Sequence, residues 1–205
     1  MAKSTSYEVI DDFLPIDTFN HFAFAAMTNY MYNPLDMVTN PEDTDGSLVN
    51  FGEPLYPGKD PATLMFQAHL LFRFINRLEV SDFFIQNPDF METLENCLGV
   101  KKWWAARVNC TVIQPKQFIG AYHIDFQEPY YKNCETAILY MNTNNGGTKF
   151  EETGEIVQSK RNRLVRFPTH TRHAGVWSTD AKLRFVLNMT YETSKLSNNR
   201  GYIHT

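Results

Sequence analysis

Apolar and polar positions along this chain follow two different periods, and the change falls near Trp103. Before it the pattern is mainly helical. A short strand-like run, YEVIDDF, leads past Pro15 into DTFNHFAFAAMTNYM, where Asp17 or Thr18 is placed to cap the exposed amides of a first helical turn. In PATLMFQAHLLFRFINRLEV the positions Leu64, Ala68, Leu71, Phe72 and Ile75 recur at helical spacing, and NPDFMETLENCLGV predicts a further helix terminated by Gly99. Asn33 to Asp60 is rich in Pro, Gly, Asp and Asn and carries little apolar periodicity; it reads as a long loop and a candidate lid. From Trp103 onward, short runs of alternating β-branched and aromatic residues are separated by Pro, Gly and Asn. They predict strands over 104–113, 117–126, 135–142, 147–151, 155–158, 163–167, 172–178 and 183–191.

Helices followed by many short strands predict an α+β fold: a barrel or double-sheet jelly roll with N-terminal helices packed on one sheet. With 205 residues, 43% of them apolar, the chain suits a single domain spanning 1–205. Within it, 1–102 is mainly helical support and lid loop, and 103–192 is the jelly-roll core. A net charge of −4 leaves no electrostatic footprint for nucleic acid. The short basic clusters at Lys101-Lys102 and 160–163 read as solvated faces. Cys97, Cys110 and Cys134 share no close spacing and fit a reducing compartment. The first residues lack an export pattern, and no run is long and apolar enough to span a bilayer, so a soluble, cytoplasmic protein is expected.

Candidate chemistry lies in the strand-rich half. In GAYHIDFQ, His123 and Asp125 stand two apart on a predicted strand and share a face, with Tyr122, Ile124 and Phe126 on the other. FPTHTRHAGVW supplies further histidines, but His170 and His173 are three apart and point to opposite faces of an extended segment, so only one can turn inward. Two imidazoles and one carboxylate on one side of a metal leave positions free for oxygen and a chelating substrate. In KLRFVLNMTYE, Leu183, Phe185, Leu187 and Met189 form one face and Arg184, Val186, Asn188 and Thr190 the other. Arg184 is therefore expected to point inward, where a guanidinium is costly unless paired and its planar fork fits a carboxylate. A surface arginine with an acidic partner is the competing reading. In AILYMN, Tyr140 and Asn142 share a face with Ile138; Arg107 and Asn109, in ARVNCTV, are polar positions that can line a pocket.

In order along the chain, HID at 123–125, ETAILYMNTNNGGTKF at 135–150, RLVRFPTHTRHAG at 163–175 and Arg184, eleven residues past His173, resemble the catalytic half of the 2-oxoglutarate/iron(II) dioxygenases, near their prolyl 4-hydroxylase-like branch. The resemblance spans Trp103 to Glu192. It implies a double-stranded β-helix in which His123, Asp125 and His173 hold iron(II). His173 is favoured over His170 because Ala174-Gly175 follow it. It also implies that Arg184, helped by the Tyr140 hydroxyl, binds the distal carboxylate of 2-oxoglutarate, with dioxygen as the other co-substrate and ascorbate as a candidate reductant. Gly146 and Gly147 would be structural. Where the family often carries a tyrosine on the first core strand, this chain has Cys110, Thr111 and Ile113. The implied activity is hydroxylation of a C–H bond in a peptidyl proline or another peptide or small molecule, with release of succinate and carbon dioxide. Asp125 stands where halide binds in related halogenases, which is why hydroxylation is expected. The segment Phe126 to Tyr131 is a second candidate lid, and Trp103 and Trp104 are expected in the core. Two alternatives stay open, a cupin-type metal enzyme that does not use 2-oxoglutarate and a non-catalytic jelly-roll binding protein; neither gives an inward Arg184 a purpose.

Overall fold

Thirteen residues of helix, Ile16–Thr28 (α1), follow a three-residue strand, Glu8–Ile10 (β1), at the start of the chain. In this computed structural model, residues 7–28, 33–35, 69–76, 79–80, 88–120, 122–125 and 133–193 are described, with backbone alone at 33–35, 69–76 and 79–80. The remaining elements are β2 (Asn33–Leu35), β3 (His69–Asn76), β4 (Glu79–Val80), α2 (Pro88–Leu98), β5 (Val100–Val112), β6 (Cys134–Tyr140), β7 (Gly147–Phe150), β8 (Ile156–Gln158), β9 (Arg163–Pro168), β10 (His173–Val176) and β11 (Leu183–Thr193). The strands form an eight-stranded sheet, ordered β1-β9-β6-β11-β5-β3-β2 with β4 beside β3, and a three-stranded sheet, β10-β7-β8. Every pairing is antiparallel.

Alternation along the strands decides which residues go where. One face of the large sheet carries Ala106, Val108 and Cys110 of β5, Ala137 and Leu139 of β6, and Phe185, Leu187, Met189 and Tyr191 of β11, all buried under the two helices. The helices contribute Phe19, Phe22, Ala23 and Ala26 from α1 and Phe90, Leu94 and Leu98 from α2, with Phe22 and Phe90 stacked at 3.9 Å between centroids. Each large side chain buried here contributes about 1.5–3 kcal/mol, enough to dock two short helices that would be marginal alone. The opposite face looks toward the small sheet across Ile138, Tyr140, Val165, Phe167 and Val186, met by Phe150 and Val157. That inner face holds the candidate chemistry.

Both helices stop and start where local chemistry dictates. Pro88 opens α2, where a missing N–H costs nothing, and Gly99 ends it at φ 68°, donating to Glu95 O at 2.8 Å. The cap expected at Asp17 or Thr18 lies one turn earlier: Phe19 N bonds to Pro15 O at 2.9 Å, so both residues are already helical. Asp17 acts instead through its charge in the first turn. The chain entering α1 is clamped by Asn162, whose side chain accepts from Leu14 N at 3.1 Å and donates to Leu14 O at 2.8 Å from a left-handed backbone at φ 61°.

The structure corrects the helix expected within 61–80, and with it the mainly helical character of 1–102. Residues 69–76 and 79–80 are strands, and β3 pairs with β5 along its free edge. HLLFRFIN carries its apolar residues in adjacent groups, Leu70 to Phe72 and Phe74-Ile75, so its period is ambiguous, and the unpaired backbone of β5 selects the strand. Asn33–Leu35 pairs with β3; the rest of the candidate lid, and the second candidate at 126–131, lie outside the described residues. The strand expected over 117–126 is irregular, held by isolated bridges between Ile119 and Val176 and between His123 and His173. Among the described residues, no helix is long and apolar enough to cross a membrane.

Candidate metal centre and active site

His123 and His173 come from segments fifty residues apart, joined by a two-way backbone bridge. His123 N donates to His173 O at 2.9 Å, and His173 N donates to His123 O at 3.0 Å. This bridge places the two rings 4.5 Å apart, tilted by 48°. Asp125 completes the cluster: its Oδ1 lies 3.9 Å from His123 Nε2 and its Oδ2 lies 3.8 Å from His173 Nε2. All three ligand atoms fall within 4.8 Å of one another. His170 is exposed in the turn before β10, whereas His173 is 2% exposed, so burial decides between them.

Each member of the cluster is oriented by a neighbour. His173 Nδ1 sits 3.0 Å from Thr171 O, a contact that assigns its proton to Nδ1 and leaves the Nε2 lone pair for a metal. Burial, reinforced by His123, pulls the His173 pKa down to about 4 and keeps the ring neutral, the form that binds metal. The Phe167 ring meets His173 edge-on at 4.7 Å and closes that side to water. Asp125 Oδ2 accepts from Thr136 Oγ1 at 2.7 Å. Burial pushes the Asp125 carboxyl up, but the adjoining His173 and His123 rings, Arg107 and the Thr136 hydroxyl outweigh it and hold the group below the usual carboxylate range. Its Oδ1 is buried with no hydrogen-bond partner among the described residues. A buried carboxylate whose two oxygens each face an imidazole nitrogen, one of them lacking a donor, is the environment a divalent cation satisfies.

Thr136 sits directly opposite Thr190 and Phe167 in register, which is why its hydroxyl meets Asp125 rather than solvent. Thr136→Val keeps the shape and removes that donor. The expected outcome is a loss of metal affinity of about 10-fold or more, the usual cost of deleting an outer-shell partner, with the fold intact. Metal titration followed beside a far-ultraviolet spectrum checks it.

Arg184 lies on the same inner face, opposite Thr111 of β5, and is 4% exposed. Its Nε donates to Ser159 Oγ at 3.0 Å and its Nη2 to Gly147 O at 2.9 Å; among the described residues no carboxylate pairs with it. Burial pushes its pKa below the ordinary guanidinium value, yet arginine stays charged in proteins. Tyr140 lies beneath it, ring centroid 5.7 Å from the guanidinium carbon, with its hydroxyl 2.8 Å from Thr148 Oγ1 and 3.1 Å from Val157 O. Burial raises the Tyr140 pKa to about 12, so the hydroxyl keeps its proton. Asn109 Oδ1 and Thr111 Oγ1 are also buried without hydrogen-bond partners among the described residues, on inward positions of β5. A lone buried cation surrounded by neutral polar groups is an anion site.

The glycine pair Gly146-Gly147, at the start of β7, lets this pocket close. A Cβ on Gly146 would lie 2.6 Å from Val176 O and 2.9 Å from Arg184 Cδ, and one on Gly147 would lie 2.3 Å from Val157 O. Sequence patterning finds Arg184, Tyr140 and the three cluster residues but not Thr136, Thr148, Ser159 or the Thr171 carbonyl. Their roles depend on contacts between distant segments, and nothing in their local spacing marks them. Asn142, expected beside Tyr140, instead caps the strand ends, donating to Leu183 O at 2.8 Å and accepting from Phe185 N at 3.0 Å.

Among solved structures, the chain is similar to an oxidoreductase of the 2OG-Fe(II) oxygenase family from Burkholderia pseudomallei, with 10% identity over 95% of this chain and 89% of that one and a TM-score of 0.58. It is similar to a Trichoplax adhaerens prolyl hydroxylase in complex with a hypoxia inducible factor peptide fragment, with 11% identity, 92% and 84% coverage and a TM-score of 0.55. The fold is that of the 2-oxoglutarate and iron(II) oxygenases. A third likeness is to HygX from Streptomyces hygroscopicus, which holds nickel, 2-oxoglutarate and hygromycin B, with 8% identity, 96% and 86% coverage and a TM-score of 0.51. No protein-family model and no curated protein sequence matches the chain. At such low identity these likenesses establish the fold, and the chemistry rests on the side chains just described.

Proposed function

We propose that this protein is a 2-oxoglutarate- and iron(II)-dependent oxygenase that hydroxylates a C–H bond of a peptide or small-molecule substrate and releases succinate and carbon dioxide. The observation that carries the reading is the pairing, on one inner face, of a His-Asp-His cluster with a buried guanidinium that has no carboxylate partner among the described residues. His123, Asp125 and His173 supply the two nitrogens and one oxygen that suit iron(II) and leave positions open. When bound, the metal and 2-oxoglutarate together supply the activation of dioxygen. Arg184 binds the distal carboxylate, and the neutral Tyr140 hydroxyl, held by Thr148 and Val157, stands beside it. Thr136 and the Thr171 carbonyl hold Asp125 and His173 in orientation, and Phe167 excludes water from the histidine.

The single-domain, jelly-roll reading has support from strand order. Counted from β5, with the segment bridged at Ile119 and His123 as the second strand, the large sheet runs sixth, third, eighth, first and the small one second, seventh, fourth, fifth. That interleaving supports a double-stranded β-helix. Free thiols at Cys97, Cys110 and Cys134 support a reducing, cytoplasmic setting. A peptide-bound prolyl hydroxylase and an antibiotic-bound enzyme both share the fold, so fold alone leaves the substrate class open. Anaerobic titration of the iron(II)-loaded protein with 2-oxoglutarate is the test. A weak visible charge-transfer band that saturates with 2-oxoglutarate is the expected result. Iron binding without the band, at any 2-oxoglutarate concentration, would move the reading to a cupin-type enzyme.

A further inference from the structure

We propose that the oxidised substrate bears a carboxylate, and that Arg107 holds this group at the mouth of the metal site. The inference rests on the oxygenase reading above and names the substrate class. Arg107 occupies an inward position of β5, directly opposite Asn188 of β11. Its Nη2 lies 3.6 Å from Asp125 Oδ1, close enough for attraction but outside hydrogen-bond range. The other described arginine side chains are all committed: Arg161 to Asn20, Arg163 to Asp11, Arg166 to Glu8, Arg172 to Glu151, and Arg184 to Ser159 and Gly147. Arg107 alone among them makes no hydrogen bond, so its five N–H donors are unspent.

Exposure separates Arg107 from Arg184. The Arg107 side chain is 38% exposed, against 3% for its neighbour Asp125. Arg184, four residues along β11 from the partner of Arg107, is enclosed; that spacing is about 13 Å of strand. The face therefore carries two cationic stations, one sealed and one open to arriving ligands, with the ligand cluster against the open one. A metal that takes Asp125 draws the carboxylate charge to itself and weakens its hold on Arg107. A neutral substrate closing the mouth would then desolvate a guanidinium and offer it neutral acceptors alone, whereas a carboxylate supplies the opposite charge and accepts its planar fork in two parallel bonds.

The test uses the whole protein loaded with zinc(II) and 2-oxoglutarate, so that binding is read without turnover. Common free L-amino acids and short aliphatic carboxylic acids, each paired with its primary amide, are titrated by ligand-detected NMR. At least one acid is expected to bind about tenfold or more tighter than its amide, a difference of about 1.4 kcal/mol. Arg107→Gln removes that preference, Arg107→Lys keeps part of it because charge survives without the fork, and 2-oxoglutarate affinity stays within about threefold of native in both. Because the side chain is half-open, neither variant threatens the fold, and a melting curve verifies this. A panel in which no acid outbinds its amide, whether neutral compounds bind equally or nothing binds, overturns the proposal. So does Arg107→Gln weakening 2-oxoglutarate as much as the acid, since the fork would then belong to the co-substrate. Failure of the native protein to bind 2-oxoglutarate at all would instead count against the oxygenase reading, and the acid-to-amide ratio on the zinc-loaded protein alone would still report on Arg107.

Discussion

Arg184→Met is expected to destroy 2-oxoglutarate binding while metal affinity survives and the ligand-free protein melts no lower than native. The guanidinium is enclosed, and among the described residues its hydrogen bonds go to neutral acceptors, Ser159 Oγ at 3.0 Å and Gly147 O at 2.9 Å. It has given up its hydration with no anion among those residues in exchange. Replacing a buried charge by an apolar side chain of similar volume is commonly neutral or stabilising by about 1–4 kcal/mol, and here the two lost hydrogen bonds offset part of that gain. The dicarboxylate, by contrast, loses its cationic partner, which costs about 2–5 kcal/mol and weakens binding by about 30-fold to several thousandfold. Calorimetric titration with 2-oxoglutarate and a thermal melt of the same sample separate the two effects. Unchanged 2-oxoglutarate affinity would sink the assignment. A fall in melting temperature beyond about 4 °C, roughly 1 kcal/mol for a chain of this size, would mean that Arg184 is there to hold β7 to β11.

Opposed effects of this kind mark residues kept for binding, and they bear on how far such residues can be read from sequence. Arg184 is legible because β11 alternates strictly: Phe185, Leu187 and Met189 go to the helices, which forces the arginine to the other face. The core strands after Trp103 are legible for the same reason, since turn residues bound each one and a slip by one position would invert every side chain. HLLFRFIN is not, because apolar residues in adjacent groups fit either period, and only the free edge of β5 settles its conformation. His123 and Asp125 were expected to converge because a regular strand has period two. They do converge, but on an irregular segment bridged at His123, so the convergence is fixed by β10 and by Thr136. What sequence cannot supply is the set of hydrogen bonds between distant segments. Ser159 reaches Arg184 across 25 positions, and Thr136 reaches Thr169, at 3.0 Å, across 33. A hydroxyl at such a position looks like any other until the sheets are brought face to face.

The two histidines of PTHTRHAG make the sharpest internal comparison, because they share a local sequence and differ in place. His173→Ala is expected to lower iron(II) affinity by more than about 100-fold, exceeding the 10- to 100-fold usual for an outer-shell partner. His170→Ala should change it by less than about twofold. The bridge from His123 N to His173 O and back uses main-chain atoms alone, so alanine at 173 preserves the strand contact that positions His123. The variant therefore removes a ligand and leaves the scaffold. Its remaining neighbours, Phe167 and the Thr171 carbonyl, lose a ring contact and a hydrogen-bond partner, a local cost that does not reach the pairing of β10 with β7. Competition against a coloured chelator under argon gives both affinities on one scale. Equal and large losses in both variants would point to a general disturbance of the turn before β10. Equal and negligible losses would place the metal elsewhere and take the oxygenase reading with it. A wide gap between two residues three positions apart is the result that a cluster built on one buried imidazole requires, since His170 stands exposed in its turn and His173 faces Asp125 Oδ2 at 3.8 Å.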